Sequence, residues 1–306
     1  MARIVYLGTP EAAVEPLRAL VAAGHDVALV VTRPDKRRGR GGTLVPSPVK
    51  AAALEIGLRV TEQLDDAVGI GAELGVVVAY GRIIPVAVLH ELPMVNLHFS
   101  LLPRWRGAAP VERAILEGDA ETGVCLMAVE AGLDTGGIYA VESTTIDDDE
   151  SADDLRNRLV SIGCRLLDAH LGSGLAGLPV PRDQRGVPSY AEKIRPAELE
   201  LDWERDADHL RRLVRLGRAW TTFRGKRLRV RRAAAPDPWG PESAGRGSAS
   251  EPEGAAGPGT LEGDVVVAGD GTRLRLVTVQ PEGRQPVDAA SWLRGARVQP
   301  GERLGR

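Results

Sequence analysis

Two short apolar runs near the start of the chain, separated by a helical pattern, restrict the fold more than any other feature. The runs occupy residues 3–8 and 27–31 and lack the polar alternation of a half-exposed strand. Between them, Thr9 and Pro10 predict a helix N-terminus and Gly24 predicts its C-terminus. Two fully apolar strands joined by a helix are typical of a parallel sheet covered by helices.

The same alternation continues to about residue 180. Further apolar strands are predicted at 76–79, 94–98 and 123–129. Helical segments are predicted at 49–56, 84–90, 108–116 and 155–171. We therefore predict an α/β fold in which residues 1–180 form a Rossmann-like domain built on a parallel sheet.

The remainder of the chain has a different pattern. Residues 181–205 are polar and contain three prolines and one glycine, which is typical of a linker. Residues 206–306 begin with a helical segment, and the short alternating runs that follow predict a small OB-fold-like β-barrel. These runs lie at 221–223, 227–231, 259–261, 264–268 and 273–280. Residues 236–258 are rich in Gly, Pro, Ser, Ala and Glu, which predicts a disordered insertion.

The charge and cysteine content narrow the class of protein. The net charge is −3, but the middle of the chain is acidic and both flanks are basic, so a polyanion would bind the flanks. No apolar run approaches the ~20 residues of a membrane-spanning helix. Cys125 and Cys164 lie in apolar surroundings without the spacing of metal ligands, which predicts reduced, buried thiols. We expect a cytoplasmic protein that has no metal site and does not associate with membranes.

Asn96 and His98 form the first candidate for catalysis. They are two residues apart on a predicted strand, so both side chains face the same way. They lie at the C-terminal end of that strand, where open parallel sheets bind ligands. An amide donor beside an imidazole can stabilise a developing oxyanion while the imidazole exchanges a proton.

Asp134 is the second candidate, because glycines at 132, 136 and 137 predict a tight loop around it. A carboxylate close to His98 would orient the imidazole and favour its charged form. Each signal alone is weak, since a histidine at a strand end is more often structural and Gly-Asp loops are common turns. The combination of Asn96, His98 and Asp134 is far more specific.

These residues also carry a resemblance. The pattern Asn96-x-His98-x-Ser100-Leu-Leu-Pro103, followed by Gly132-Leu-Asp134-Thr-Gly136, resembles the signature of the folate-dependent formyltransferases. Within that family, the chain is most similar to the branch that acts on methionyl-tRNA. The segments that carry this similarity are Gly8–Pro10, Pro34–Gly41, Pro46–Lys50, Ala79–Pro85, Pro103–Pro110, Tyr190–Lys193, Asp202-Trp203 and Pro300-Gly301.

The resemblance implies a reaction and its residues. Asn96, His98 and Asp134 match the catalytic trio of the family, and the formyl donor would be 10-formyltetrahydrofolate, with no metal required. Two segments and one further residue match the folate site, where backbone groups would hydrogen-bond the pterin ring. The matching positions are Arg82, Ile83, Ile84, Ser100, Leu101, Leu102, Pro103 and Leu133.

The resemblance also implies a surface for the initiator methionyl-tRNA. We call residues 33–42 the basic loop; it would enter the acceptor stem near the first base pair, and Arg40 aligns with the key basic residue of the family. Its cations are Arg33, Lys36, Arg37, Arg38 and Arg40. Lys193 and the arginines between 211 and 232 would bind phosphates. A run of charge is more commonly a solvated surface, and that interpretation stays open for each of these residues.

Three other functions fit parts of the sequence. A formyltransferase for a sugar nucleotide or another small amine would share the trio but would lack the basic loop and a second nucleic-acid-binding domain. A Rossmann dehydrogenase would need Gly-x-Gly-x-x-Gly after the first strand, where this chain has Gly8-Thr-Pro-Glu-Ala-Ala. A non-catalytic tRNA-binding protein would be expected to have lost part of the trio. We expect an enzyme that acts as a monomer.

Overall fold

The structure is a computed structural model that describes residues 1–38, 42–235 and 256–305. Most of the insertion predicted at 236–258 lies outside the described residues, as does the middle of the basic loop. The chain divides into two compact units. The first comprises residues 1–114, 120–146 and 154–193, and the second comprises residues 115–119, 147–153 and 194–306.

Among the residues that the structure describes, the first unit contains eleven strands and most of five helices. The strands are β1 (Arg3–Gly8), β2 (Asp26–Val31), β3 (Lys36–Arg38), β4 (Thr43–Val45), β5 (Val60–Thr61), β6 (Leu74–Val78), β7 (Met94–His98), β8 (Arg106–Gly107), β9 (Glu121–Ala128), β10 (Ile138–Thr145) and β11 (Tyr190–Ala191). The helices are α1 (Val14–Ala22), α2 (Pro48–Glu55), α3 (Val86–Glu91), α4 (Pro110–Glu117) and α5 (Ala152–Leu171).

A seven-stranded sheet forms the centre of this unit, in the order β10-β9-β7-β6-β1-β2-β5. The five strands from β7 to β5 in that order are parallel, which confirms the predicted α/β fold. Strand β9 runs antiparallel to β7, and β10 runs antiparallel to β9. A strand was predicted at the position of β9 but not at that of β10. Strand β10 escapes prediction because it is an edge strand with alternating, half-exposed residues rather than an apolar run.

The predicted cap at the start of α1 is wrong, whereas the predicted end is correct. Residues 11–13 form a 3₁₀ turn before α1, and the Thr9 hydroxyl donates to the carbonyl of Tyr80 at 3.0 Å instead of capping the helix. At the other end, Gly24 has a φ of 82°, and the N–H of His25 bonds back to the Leu20 carbonyl. This left-handed turn is the usual role of a glycine after a helix.

Helix α5 determines which face of β7 is free. A Cβ atom on Gly163 of α5 would lie only 3.0 Å from the side chain of Leu97, so the helix backbone packs directly on that residue. Side chains alternate along a strand, and Asn96 and His98 therefore lie on the opposite face. The close packing of α5 thus leaves both candidate side chains on the face of the sheet away from that helix.

Residues 181–193 are part of the first unit rather than a free linker. Strand β11 pairs in parallel with β8, and Arg182 forms a bridge with Ile138. The prediction of a linker is therefore wrong for residues 181–193. A two-residue strand and one isolated bridge leave no periodic pattern in a sequence, so the composition of residues 181–193 resembles that of an unstructured linker. The rest of the predicted linker, residues 194–205, belongs to the second unit, where Leu201 and Trp203 are buried.

In its described residues, the second unit contains two helices and an antiparallel sheet of six strands. The sheet order is β12-β13-β16-β15-β14, with β17 added beside β16. The strands are β12 (Trp220–Phe223), β13 (Lys226–Ala234), β14 (Leu261–Glu262), β15 (Val265–Val267), β16 (Arg273–Pro281) and β17 (Val287–Asp288), and the helices are α6 (Ala207–Arg215) and α7 (Ala289–Ala296). Short strands occur where predicted, while closure into a barrel stays a prediction. Across the described ranges, none of the helices has the length and apolar character needed to cross a bilayer.

Candidate active site

His98 is the last residue of β7, and its side chain is almost completely buried. Its Nε2 atom lies 2.8 Å from the carbonyl oxygen of Trp105. A carbonyl oxygen only accepts hydrogen bonds, so Nε2 must carry a proton and donate it there. The other ring nitrogen, Nδ1, is therefore the one available for chemistry, and it lies 3.7 Å from Oδ2 of Asp134.

Asp134 is held in place from its backbone and from its carboxylate. Its φ of 50° is in the left-handed region, which is uncommon for a residue other than glycine. The backbone N–H of Gly107 donates to Oδ2 of Asp134 at 2.8 Å. Gly107 itself has a φ of 119°, and a Cβ there would meet the Ala191 carbonyl oxygen at 3.0 Å, so β8 and β11 can pair closely only with glycine at this position.

The glycines around Asp134 permit the loop to turn back onto the sheet. A Cβ atom at Gly136 would lie 2.1 Å from the carbonyl oxygen of Ala128, at the end of β9. A Cβ atom at Gly132 would lie 2.4 Å from the Thr135 hydroxyl. The first distance is to a backbone oxygen, so position 136 requires glycine for the close approach that brings the acid beside β7. The second is to a side chain, so a larger residue at position 132 would require Thr135 to move.

Asn96 lies two residues before His98, on the same face of β7. In the sheet it pairs with Val77 of β6 and with Met127 of β9, so its backbone is fixed on both sides. Its side chain is half-buried. An amide, an imidazole and a carboxylate are thus assembled at the C-terminal end of a central strand, and together they can donate to an oxyanion and move a proton.

The loop after His98 is shaped by its own side chains. The Ser100 hydroxyl is fully buried and donates to the Arg104 carbonyl at 2.6 Å. Leu102 packs with Cys125 and Met127. The predicted folate positions Ser100 and Leu102 therefore direct their side chains into the protein, and Leu101 and Pro103 are partly buried.

The other predicted folate positions differ in exposure. Ile84 is buried in a cluster with Tyr80 and Val88. Ile83 and Leu133 are 87% and 58% exposed, although both side chains are large and apolar. Arg82 is also exposed. These three side chains are therefore accessible to solvent and to a ligand.

Strand β3 of the basic loop forms a hairpin with β4, which directly follows the loop. The side chain of Arg37 donates to the Gly42 carbonyl at 3.0 Å, across the base of the turn. Arg33 and Lys36 lie on the first stem of the loop, and Arg33 approaches Gly81. Arg40 lies outside the described residues. The structure therefore places the two ends of the loop, and α2 begins at Pro48, shortly after β4.

Lys50 of α2 anchors this hairpin, a role that the sequence did not indicate. Its Nζ atom lies 2.8 Å from Oδ1 of Asp35 and 3.0 Å from Oε1 of Glu62. The hydrogen bond to Asp35, followed by that to Glu62, raises the pKa of Lys50 above its usual value. A second link joins the hydroxyls of Thr32 and Ser47 at 2.7 Å. Both ends of the hairpin are thus tied together.

The arginines between 211 and 232 have two different roles. Arg211 and Arg215 bind carbonyl oxygens of the turn at 147–150, within the second unit, so these two side chains are already in use. Arg227, Arg229 and Arg231 are exposed and alternate with buried residues along β13. Arg227 lies over the ring of Trp220, and Arg231 donates to the Gly217 carbonyl at 3.0 Å. The arginines of β13 are thus more exposed than those of α6, and phosphate binding by this stretch stays a prediction. Lys193 is exposed as well.

Gln184 is a second residue that the sequence did not indicate. Its Nε2 atom donates to the carbonyl oxygens of Asp134 at 2.8 Å and Gly136 at 2.9 Å. Its Oε1 atom accepts from the guanidinium of Arg106. A glutamine in a polar, glycine-containing segment carries no local signal that separates it from a solvated residue.

Comparisons with known proteins agree with this architecture. Residues 2–169 match the family described as "Formyl transferase", and residues 193–297 match "Formyl transferase, C-terminal domain". Methionyl-tRNA formyltransferase of Acidothermus cellulolyticus is 42% identical, and the alignment covers 99% of each chain. The enzyme of the same name from Methylococcus capsulatus is also 42% identical, again over 99% of both chains.

Solved structures share the fold at lower identity. An N-formyltransferase from Helicobacter canadensis, in complex with folinic acid and dTDP-3-aminofucose, aligns with a TM-score of 0.67 at 17% identity, covering 92% of this chain and all of that one. A methionyl-tRNA formyltransferase from Clostridium thermocellum aligns with a TM-score of 0.56 at 17% identity, covering 76% and 93%. The full-length similarity at 42% identity establishes the relationship. The chain belongs to the formyl transferase family, in the branch of the methionyl-tRNA formyltransferases.

Proposed function

We propose that the protein transfers the formyl group of 10-formyltetrahydrofolate to the amino group of the initiator methionyl-tRNA. The observation that carries the proposal is that Nδ1 of His98 lies beside the Asp134 carboxylate. His98 itself lies two residues after Asn96 on the same strand. The similarity to methionyl-tRNA formyltransferases over 99% of the chain supports the same substrate pair. We further propose that the protein works as a monomer in the cytoplasm, where tRNA is charged.

In the first step, the methionyl amine attacks the formyl carbon, and a new N–C bond forms. The formyl oxygen gains negative charge, and the Asn96 amide is the donor that stabilises it. His98, when protonated, adds a second donor from Nδ1, because Nε2 is engaged by the Trp105 carbonyl. Such donors act strongly when they are fixed before the reaction.

In the second step, the bond between the formyl carbon and N10 of the folate breaks. The attacking amine must lose a proton and N10 must gain one, so the reaction needs a group that passes a proton between them. Asp134 accepts the amine proton directly or through water, and its carboxylate lies 3.7 Å from Nδ1 of His98. His98 then donates to N10, and the products are formyl-methionyl-tRNA and tetrahydrofolate.

The folate would bind along the exposed apolar side chains near the end of the sheet. Ile83 and Leu133 offer apolar surface for the flat pterin ring, and the backbone of residues 82–84 offers donors and acceptors to its edge. Backbone groups of residues 100–103 can contribute in the same way, since the Ser100 and Leu102 side chains point into the protein.

The tRNA would be recognised by the basic loop and bound by exposed cations elsewhere. Arg40 would insert near the first base pair of the acceptor stem, where the weak end pair of an initiator makes opening inexpensive. Lys193 and the exposed arginines of β13 would bind phosphates, which adds affinity without reading the sequence.

The proposal is tested by incubating the protein with 10-formyltetrahydrofolate and charged initiator tRNA. The released amino acid is analysed by mass spectrometry, with elongator methionyl-tRNA and an amino-sugar nucleotide as separate acceptors. We expect formyl-methionine from the initiator and far less product from the other two. Formylation of the amino sugar with none of methionyl-tRNA would refute the proposed acceptor.

A further inference from the structure

The side chain of Gln184 connects the loop of the candidate acid to the strand that binds it. Its amide nitrogen has two hydrogens, and both are used by the carbonyl oxygens of Asp134 and Gly136. These two carbonyls enclose the turn at residues 134–136. Gln184 comes from a segment 50 positions further along the chain, so the contact is tertiary and not part of the local turn.

The oxygen of the same amide binds the opposite side of the site. It accepts from Arg106, through Nε at 3.1 Å and through a terminal nitrogen at 2.6 Å. Arg106 directly precedes Gly107, whose N–H binds the carboxylate of Asp134. Every polar atom of the Gln184 side chain is therefore used, and it joins the backbone of Asp134 to the strand that holds the Asp134 carboxylate.

We propose that Gln184 is the positioning residue that fixes Asp134 relative to His98; this inference rests on the proposed function of the trio. Asp134 adopts a left-handed backbone conformation, which a non-glycine residue keeps only when surrounding contacts hold it. Two donated hydrogen bonds to the turn supply that hold. Gln184 does not touch the reacting atoms and acts through Asp134.

The chemistry of the contact requires an amide at this position. A glutamate would have nearly the same size and would keep its attraction to Arg106. It would accept hydrogen bonds only, however, so its carboxylate would face two carbonyl oxygens with no proton to share. The Gln184→Glu variant therefore breaks the link to Asp134 and retains the link to Arg106. Gln63 is exposed in the same unit, and Gln63→Glu adds the same charge away from the site.

The test compares Gln184→Glu with Gln63→Glu and the wild-type protein in the formylation assay. We expect Gln184→Glu to lower kcat about tenfold to a hundredfold, as for other residues that orient a catalytic group, with KM for tRNA and folate nearly unchanged. In an Asp134→Asn background the same change should have little further effect, because the carboxylate that it positions is already gone.

Hydrogen exchange provides a readout that does not depend on activity. Backbone amides of residues 131–138 should exchange faster in Gln184→Glu than in Gln63→Glu. The inference is overturned if exchange in that segment is unchanged, if kcat stays within twofold of the wild type, or if the loss is equally large in the Asp134→Asn background. A wild-type protein with no formylation activity would instead count against the proposed function, and the exchange experiment would still decide the role of Gln184.

Discussion

The Nδ1 atom of His98 lies 3.7 Å from Oδ2 of Asp134, while Nε2 of the same ring is held by the carbonyl of Trp105. This relationship determines which nitrogen can take part in the reaction. The loop after β7 therefore has a chemical role besides its structural one, since it selects the tautomer and presents Nδ1 to the acid. Asp134 binds the Gly107 N–H with the same oxygen, so the acid and the imidazole are oriented by one network.

The first prediction concerns this tautomer. Neutral His98 should carry its proton on Nε2, because the Trp105 carbonyl can only accept. ¹⁵N NMR of protein labelled in histidine distinguishes the two ring nitrogens, and His98→Gln identifies the resonance. An Nδ1–H tautomer in the neutral form would contradict the assignment of Nδ1 as the reactive nitrogen.

The second prediction concerns Lys50 of α2, which forms ion pairs with Asp35 in the basic loop and with Glu62 outside it. Lys50→Met should lower kcat/KM for methionyl-tRNA roughly tenfold, since a misplaced recognition element loses binding geometry. Folate binding should be unchanged. In an Arg40→Ala background, which should itself impair activity on initiator tRNA, Lys50→Met should add little.

Arg18→Met is the matched control, because Arg18 also bridges two carboxylates, those of Glu15 and Glu55, on the surface of the same unit. Its kcat/KM for tRNA should stay close to that of the wild type. Equal reductions in the two variants, or unchanged kinetics in Lys50→Met and Arg40→Ala, would contradict the assigned role of the loop.

How far the sequence predicts the fold depends on whether an element is buried on both faces. Strand β7 has its predicted bounds, 94–98, because buried parallel strands give continuous apolar runs. Strand β10 lies at the edge of the sheet beside β9 and alternates exposed with half-buried residues, so its pattern resembles that of a loop. Strand β11 has two residues and no periodicity at all.

The third prediction concerns the exposed arginines of β13. Changing Arg227, Arg229 and Arg231 together to Gln should weaken tRNA binding and reduce the slope of log K against log salt by up to about three, roughly one for each phosphate that the variant no longer binds. Arg165→Gln is the control, since that side chain is exposed but paired with Glu142. An unchanged salt slope in the triple variant would show that the phosphates bind elsewhere on the protein.

The fourth prediction concerns stability and pH. His25 is buried, and its Nδ1 atom accepts the backbone N–H of Ala2, which requires that nitrogen to be unprotonated. Burial, followed by the charge of the N-terminal amine, lowers the pKa of His25 below 6.5. The unfolded chain therefore binds this proton more readily, so the contribution of His25 is present above pH 6.5 and is lost as the pH falls through the lowered pKa.

Urea unfolding of the wild type and of His25→Gln at several pH values tests this sign. The glutamine variant does not titrate at this position, so any stability advantage of the wild type near pH 7.5 should shrink towards pH 5. A difference between the two proteins that stays constant over this range would show that protonation of His25 is not linked to folding.

The candidate site was only partly predictable from the sequence. The spacing of Asn96 and His98 and the glycines around Asp134 are local patterns, and they indicate the same three residues that the structure brings to one end of the sheet. The choice of Nδ1 over Nε2 depends on the path of the loop to Trp105, and the roles of Lys50 and Gln184 depend on partners distant in the chain. Such tertiary interactions leave no periodic signal in a single sequence.

The central claim is that Asn96, His98 and Asp134 act together on one formyl carbon, and the single-turnover rate of formyl transfer tests it most directly. The rate is measured with the formylated folate and initiator methionyl-tRNA for Asn96→Ala, His98→Ala and Asp134→Ala, beside the affinity of each variant for tRNA. We predict that each rate falls by about a hundredfold or more while tRNA affinity changes little. A near-normal rate in any one of the three would contradict the role assigned to that residue.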